Sequence, residues 1–202
     1  MKRILCILSA LCLLASQECV ASSPKVIFGV EWGYSISFFN YRHFNYLDGE
    51  GSRVNEQGVI WHAHSNGNVL ASVGLAFSSK CALSLCTGYM GIEDNNRIIP
   101  ALIRFTFVPR GMEESGFVLT FDGGAGMNVL YNDKFPLTCG IGTGYRINIS
   151  GRYSLDLKFN VRASYDQPNI YDPTIYGFVP KQNISLDQAF YGSAGISAAI
   201  NF

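Results

Sequence analysis

Two histidines and a serine stand close together in the segment His62-Ala63-His64-Ser65. Histidines at positions i and i+2 share one face of an extended strand, where they could bind a metal ion together. A histidine beside Ser65 could instead activate its hydroxyl as a nucleophile. No carboxylate is fixed beside these residues by the sequence, so the segment is interpreted as a polar loop without catalytic function. No metal ion or other cofactor is predicted.

A second set of polar residues alternates with apolar ones. From position 153 to position 165 the odd residues are apolar, while Asp156, Lys158 and Arg162 fall on even positions. Thirteen residues of unbroken alternation, with a tyrosine at each end of the apolar row, are typical of a membrane-spanning strand whose polar face lines a barrel. The same reasoning assigns seven charged residues to the barrel lumen: Glu31, Arg104, Asp122, Arg146, Asp156, Lys158 and Arg162.

Opposite charges inside a narrow barrel are expected to pair with one another. The sequence therefore favours a lumen closed by an ionic network over an open pore. A bound ligand in that space is the remaining alternative. Inward glycines at 140, 142 and 144 are predicted to make room for long arginine and lysine side chains.

The beginning of the sequence has the pattern of a signal peptide. Lys2 and Arg3 precede an apolar run at 4–15, and Cys19-Val20-Ala21 supplies small residues for cleavage. We expect a signal peptide at 1–21 and a single domain at 22–202. No later stretch is long and apolar enough for a membrane-spanning helix, so a membrane-bound form would cross with strands, in the outer membrane of a Gram-negative bacterium.

Alternation with period two predicts eight strands, at 26–41, 69–77, 81–92, 98–108, 116–131, 135–149, 153–165 and 189–202. The predicted fold is all-β, an eight-stranded antiparallel transmembrane up-and-down β-barrel. An even number of strands lets the sheet close without an unpaired edge in lipid. Short connections at 78–80, 109–115 and 150–152 predict periplasmic turns, and the long segments 42–68 and 166–188 predict outer loops.

The two predicted outer loops are rich in aromatic residues. Trp61 stands with His62 and His64 in the first loop, and Tyr171, Tyr176 and Phe178 stand in the second. Exposed aromatic side chains favour a surface that contacts lipopolysaccharide or an extracellular partner. The alternative is that they extend the barrel wall or form its aromatic girdle.

Charge and cysteine content exclude other classes of protein. With 15 basic and 15 acidic residues the net charge is +0, which argues against a nucleic-acid partner. Beyond the signal peptide, Cys81, Cys86 and Cys139 are odd in number and lack metal-type spacing, so they are predicted to be small apolar filler.

The whole predicted domain resembles the small outer-membrane barrels of the OmpA/OmpX type. Within that group, Ile98-Ile99-Pro100-Ala101, Arg104-Phe105 and the segment 117–126 look like small barrel proteins of the Bacteroidetes. The terminal Phe202 resembles the signal that the barrel-assembly machinery reads. The resemblance implies outer-membrane lipid and lipopolysaccharide as surroundings and the assembly machinery as a partner.

Barrels of this size include lipid A-modifying enzymes, which carry a histidine and a serine near the outer leaflet. In the deacylase pattern these residues lie in a later strand than His62 and Ser65, so the chain is predicted not to be an enzyme. The predicted role is structural or one of surface interaction through 42–68 and 166–188. A narrow porin-like channel and, less favoured, a lipid A-modifying enzyme are the alternatives.

Overall fold

The computed structural model describes residues 24–93, 96–129 and 134–202, so the predicted signal peptide lies outside the described residues. The strands are β1 (Lys25–Leu47), β2 (Arg53–Ala76), β3 (Cys81–Glu93), β4 (Asn96–Phe107), β5 (Gly116–Asn128), β6 (Leu137–Ser150), β7 (Tyr153–Asp166), β8 (Tyr171–Asp172), β9 (Gly177–Phe178) and β10 (Ile184–Asn201). A short 3₁₀ helix at Lys181–Asn183 precedes β10. In these described ranges no helix has the length and apolar character needed to cross a membrane.

Eight of the strands form a closed barrel in the order β1-β10-β7-β6-β5-β4-β3-β2, and each pairs antiparallel with its neighbours. This confirms the predicted eight-stranded antiparallel barrel. Closure satisfies the backbone donors and acceptors on both sides of each strand, which an open sheet could not do at its edges. Short turns join β2 to β3, β4 to β5 and β6 to β7 at the barrel end where β1 begins. We call this the terminal end and the opposite one the hairpin end.

Large apolar side chains cover the outside of the barrel. Every barrel strand contributes, for example Phe28, Val73, Leu85, Ile103, Phe121, Ile141, Leu157 and Ile196. Aromatic pairs lie towards the two ends of this belt, with Phe28 stacked on Phe202 at a ring distance of 6.1 Å and Tyr165 beside Phe190 at 4.9 Å. The inner face carries the polar residues, as the alternation predicts.

The prediction of a loop at 42–68 is wrong. β1 and β2 run on as one long hairpin, from Asn40 to Leu47 and back from Arg53, joined by a turn at 48–52. A bulge at Phe38 shifts the register between Ser37 and Phe39, and beyond it the even-numbered residues of β1 face inward. The predicted strand 69–77 is therefore only the part of β2 nearest the terminal end. β2 pairs with β3 only between Asn68 and that end.

The segment 166–188 is structured over most of its length. β8 and β9 form a small two-stranded sheet, and β10 already begins at Ile184. We call residues 167–183 the cap. Its Ile170 and Val179 form a buried cluster with Tyr46 of the long hairpin, and the Gly49 amide donates to Asp172 Oδ2 at 2.9 Å. The two segments predicted as outer loops therefore contact each other through this cluster and this hydrogen bond.

Candidate functional site

Five charged side chains form one continuous network across the middle of the lumen. Arg104 lies opposite Asp122 in the ladder between β4 and β5, and its Nη2 is 2.9 Å from Asp122 Oδ2. The same guanidinium pairs through Nη1 with Glu31 of β1, on the far wall. Lys158 Nζ lies 2.8 Å from Glu31 Oε2, and Arg162 Nη2 lies 3.0 Å from Asp122 Oδ2. We call these five residues the central network.

The central network has unequal charge. Its three cationic side chains, Arg104, Lys158 and Arg162, face two carboxylates, Glu31 and Asp122. Glu31, Arg104 and Lys158 are each at most 7% exposed. Charges removed from water in this way remain ionised only when they are paired. The network therefore links opposite walls of the barrel and contains one more cationic than anionic side chain.

Arg146 and Asp156 form a separate pair nearer the terminal end. They lie opposite each other in the ladder between β6 and β7, and two parallel bonds of 2.7 Å join the guanidinium to the carboxylate. Arg146 Nη1 also donates to the Met112 carbonyl at 3.1 Å, in the turn 108–115. Asn201 Nδ2 donates to Asp156 Oδ2 at 3.0 Å. The pair thus ties the turn between β4 and β5 to the wall formed by β6, β7 and β10.

The inward glycines allow this packing in two ways. A methyl group at Gly140 would lie 3.0 Å from Asp122 Oδ1 and 3.3 Å from the Arg162 guanidinium. At Gly144 a methyl group would overlap the backbone carbonyl of Leu157, so here the neighbouring strand itself needs the space. Gly140 therefore makes room for charged side chains, while Gly144 permits close approach of β6 and β7.

A second polar layer, not predicted from the sequence, lies at the hairpin end. Glu93 accepts a hydrogen bond of 2.8 Å from Asn40 Nδ2 and is 3.3 Å from Arg42 Nη2. Asp166 accepts from Asn96 at 2.6 Å, and Lys134 Nζ lies 3.2 Å from Asp187 Oδ2. These residues fall at or beyond the ends of the predicted strands, where alternation gave no assignment. Their only sequence signal is their polarity.

The histidine segment lies in β2, not in a loop. His62 faces the lumen, with Nε2 3.1 Å from Glu93 Oε1, and His64 lies opposite the buried Ser37. Ser65 lies opposite Ile36 on the outer face. Consecutive residues of a strand point to opposite sides of the sheet, so neither inward histidine is placed to activate Ser65. Trp61 is 72% exposed on the outer face and packs edge-on against Phe39 at 5.4 Å.

The other predicted surface residues lie in the cap or at the terminal end. Tyr171 and Phe178 are cross-strand partners whose rings meet edge to face at 6.1 Å. Tyr176, 88% exposed, occupies the tip of that hairpin with a φ of 49°. Phe202 exchanges backbone hydrogen bonds of 2.8 and 2.9 Å with Phe28. The cap aromatics therefore stand above the barrel, whereas Phe202 belongs to its wall.

Cavities of very different size lie along the described part of the barrel. A chamber of about 880 Å³ lies at the hairpin end beneath the cap, and one of about 450 Å³ lies at the terminal end. Between them, beside Glu31 and Arg162, a cavity of about 20 Å³ has room for a single water molecule. Leu70, Cys86 and Leu102 form a buried apolar cluster at this middle level. The central network and this cluster thus lie between the two large chambers.

In the described part of the chain, no disulfide joins Cys81, Cys86 and Cys139 to one another. Cys81 and Cys86 are buried, whereas Cys139 is exposed on the outer face. Within residues 24–93, 96–129 and 134–202 no three histidine, cysteine, aspartate or glutamate side chains are grouped closely enough to bind a metal ion.

Neither a family model nor a curated protein matches this sequence. Among solved structures, the chain is similar to the outer membrane protein OprG from Pseudomonas aeruginosa, with 9% identity and a TM-score of 0.47 over 87% of this chain and 95% of that one. It is also similar to the outer membrane protein AlkL, determined in lipid bilayers, with 12% identity and a TM-score of 0.38 over 85% of this chain and 90% of that one.

Proposed function

We propose that this protein is an integral barrel of the Gram-negative outer membrane, non-enzymatic, with a closed lumen and a structural or surface-interaction role at its hairpin end. The observation that carries the proposal is the belt of exposed apolar side chains on all eight barrel strands around a polar interior. Such a surface is costly in water and matches a bilayer. Outer-membrane lipid and lipopolysaccharide are the proposed surroundings, and the barrel-assembly machinery the proposed inserting partner.

The closed lumen is supported by the central network and the apolar cluster beside it. Together they lie between the two chambers, beside a cavity of only about 20 Å³. Eight strands leave an interior just wide enough for side chains to fill. A path for ions would require the bonds of Arg104 to Glu31 and Asp122 to break.

The surface role is supported by the cap and the long hairpin. In an outer membrane the terminal end faces the periplasm, so the cap and the turn at 48–52 face the outside. Tyr171, Tyr176 and Phe178 are all more than half exposed there. They form the proposed contact surface for an extracellular partner, while His62 and His64 line the chamber below and Trp61 belongs to the outer wall.

The experiment that tests the proposal combines gel migration with conductance. Protein refolded into lipid should migrate differently before and after boiling, because a closed barrel resists unfolding by detergent, and it should not conduct in a planar bilayer. Migration that boiling does not alter would overturn the barrel assignment. A heat-modifiable band with steady conductance would replace the closed lumen by a narrow channel.

A further inference from the structure

We propose that the chamber beneath the cap is a binding site for a neutral, hydroxyl-rich ligand of the saccharide class. This inference depends on the proposed function in one respect: the orientation of the barrel makes the chamber accessible from outside the cell. Its volume of about 880 Å³ lies within the range of small-molecule sites, roughly 300–1,000 Å³. A monosaccharide or disaccharide fits this space.

One wall of the chamber is aromatic. Phe44 and Tyr46 of the long hairpin and Tyr171 and Phe178 of the cap line it together. Phe44 packs against the buried cluster that Tyr46 forms with Ile170 and Val179, and Tyr171 and Phe178 are cross-strand partners in the cap. The flat C–H face of a pyranose ring packs against aromatic rings, which offer a large apolar area with little conformational freedom to lose.

The opposite wall is polar, and two of its charged residues already have partners. Glu93 is contacted by Asn40, Arg42 and His62, and Lys134 is paired with Asp187. Glu56 and Asp166 also line the chamber, so an anionic ligand would meet their carboxylates and would have to break one of these pairs in order to form its own. A neutral ligand can bind without disturbing them.

The polar wall also retains hydrogen-bonding groups that are not used. In the described part of the chain, Asn40 Oδ1, Arg42 Nε and His62 Nδ1 are buried and have no hydrogen-bond partner. Asn40 Oδ1 can only accept and Arg42 Nε can only donate. Arg42 and His62 line the chamber, and Asn40 lies beside them against Glu93. A hydroxyl group both donates and accepts, so hydroxyl groups can form hydrogen bonds with unpaired donors and unpaired acceptors alike. A carboxylate can only accept and an ammonium group can only donate.

The test uses the full chain in phosphatidylcholine nanodiscs, which avoids sugar-based detergents. Glucose, maltose and N-acetylglucosamine are titrated separately by saturation-transfer NMR, with glucuronate as a charged analogue that keeps the pyranose ring of glucose. We expect saturable binding of at least one neutral sugar and weaker binding of glucuronate. A parallel arm places lipopolysaccharide in the disc. Binding of lipopolysaccharide alone would support a lipid-borne saccharide as the ligand, and binding of free sugar would support a soluble one.

Two leucine variants locate the binding. Phe44→Leu keeps an apolar side chain but removes the ring from the chamber wall, and should weaken binding roughly tenfold. Tyr41→Leu removes a ring from the outer face of the same strand and should leave the affinity within about twofold. Heat-modifiable migration identifies the folded samples of both variants.

Three results would overturn the saccharide site. These are no saturable binding in either arm, glucuronate binding as tightly as glucose, and equal effects of the two leucine variants. None of these results depends on the gel migration or the conductance of the wild-type protein. Failure of this inference can therefore be distinguished from failure of the proposed barrel.

Discussion

Arg146 is only 2% exposed, and all of its described polar contacts are made inside the barrel. Replacement by alanine would leave the buried Asp156 carboxylate with Asn201 alone among its described hydrogen-bond donors. An unpaired buried charge costs about 3–5 kcal/mol, so Arg146→Ala should lower the free energy of unfolding by that order. Urea unfolding in lipid, followed by the folded band on a gel, measures this loss.

Arg152→Ala is the matched control, since this exposed arginine lies in the turn between β6 and β7. It should change stability by less than about 0.5 kcal/mol. The double variant Arg146→Ala with Asp156→Ala should recover part of the loss, because the orphaned carboxylate is then gone. Equal effects of the two arginine variants would contradict the paired structure.

Gly144 is a residue whose identity the backbone dictates. A methyl group there would overlap the Leu157 carbonyl and lie 2.7 Å from Lys158 Cα, so β6 and β7 would have to separate. We expect Gly144→Ala to destabilise the barrel by roughly 2 kcal/mol. Gly58→Ala is its control, because nothing lies within 4 Å of the added methyl group. The same urea assay applies, and a loss at position 58 as large as that at 144 would refute the close approach.

At the scale of elements, the cap is held to the long hairpin through Asp172. Its carboxylate accepts from the Thr174 hydroxyl at 2.7 Å, the Thr174 amide at 2.8 Å and the Gly49 amide at 2.9 Å. Hydrogen bonds from Thr174, followed by that from Gly49, hold the pKa of Asp172 below its usual value. A lowered pKa in the folded state means that the contribution is present above the unfolded pKa, near about 4, and is lost as pH falls through the folded value.

The contact between the cap and the turn at 48–52 should therefore weaken in acid, while the buried cluster of Tyr46, Ile170 and Val179 and the barrel stay in place. Amide exchange of Gly49, measured by NMR as pH is lowered below about 4, should show faster local opening after correction for intrinsic exchange. Asp172→Asn should weaken the contact at neutral pH and remove its acid dependence. Unchanged acid dependence in that variant would assign the effect to another group.

The bulge at Phe38 explains which elements could be predicted from sequence. Between the terminal end and the bulge, the outward residues are apolar and the inward ones polar, so alternation identified the strands there. Between the bulge and the hairpin end, the even-numbered residues of β1 face inward, among them Phe44 and Tyr46, whereas before the bulge even-numbered residues face outward. Outward His43 and Asn45 are polar. Alternation therefore identified the apolar belt and not the full length of the strands. For this reason the part of the β1–β2 hairpin beyond the bulge, and Glu93 with its neighbours, were not predicted.

At the scale of the whole molecule, the closed lumen can be tested with a native thiol. Cys86 is 2% exposed and lies between the two chambers. In a Cys81→Ala, Cys139→Ala background, a charged thiol reagent added from either side should not modify Cys86. Adding Arg104→Ala should make it reactive, because the bridge between Glu31 and Asp122 is lost.

A cysteine in the hairpin-end chamber provides the control for this assay. His64→Cys, in the background that also carries Cys86→Ala, should be modified readily, since His64 lines that chamber. Modification of Cys86 in the otherwise intact lumen at the rate of the His64→Cys thiol would mean that the two chambers communicate.

The seam between β1 and β10 determines the order in which the barrel can form. The other ladders join strands that follow one another along the barrel chain, whereas the seam pairs Gly29 with Asn201 and ends in the two hydrogen bonds between Phe28 and Phe202. Contacts so distant in sequence form late, because a long loop must close first. The last step of assembly is therefore the pairing of β10 with β1, which closes the barrel. A chain stalled before it exposes two open strand edges, the form most prone to aggregate.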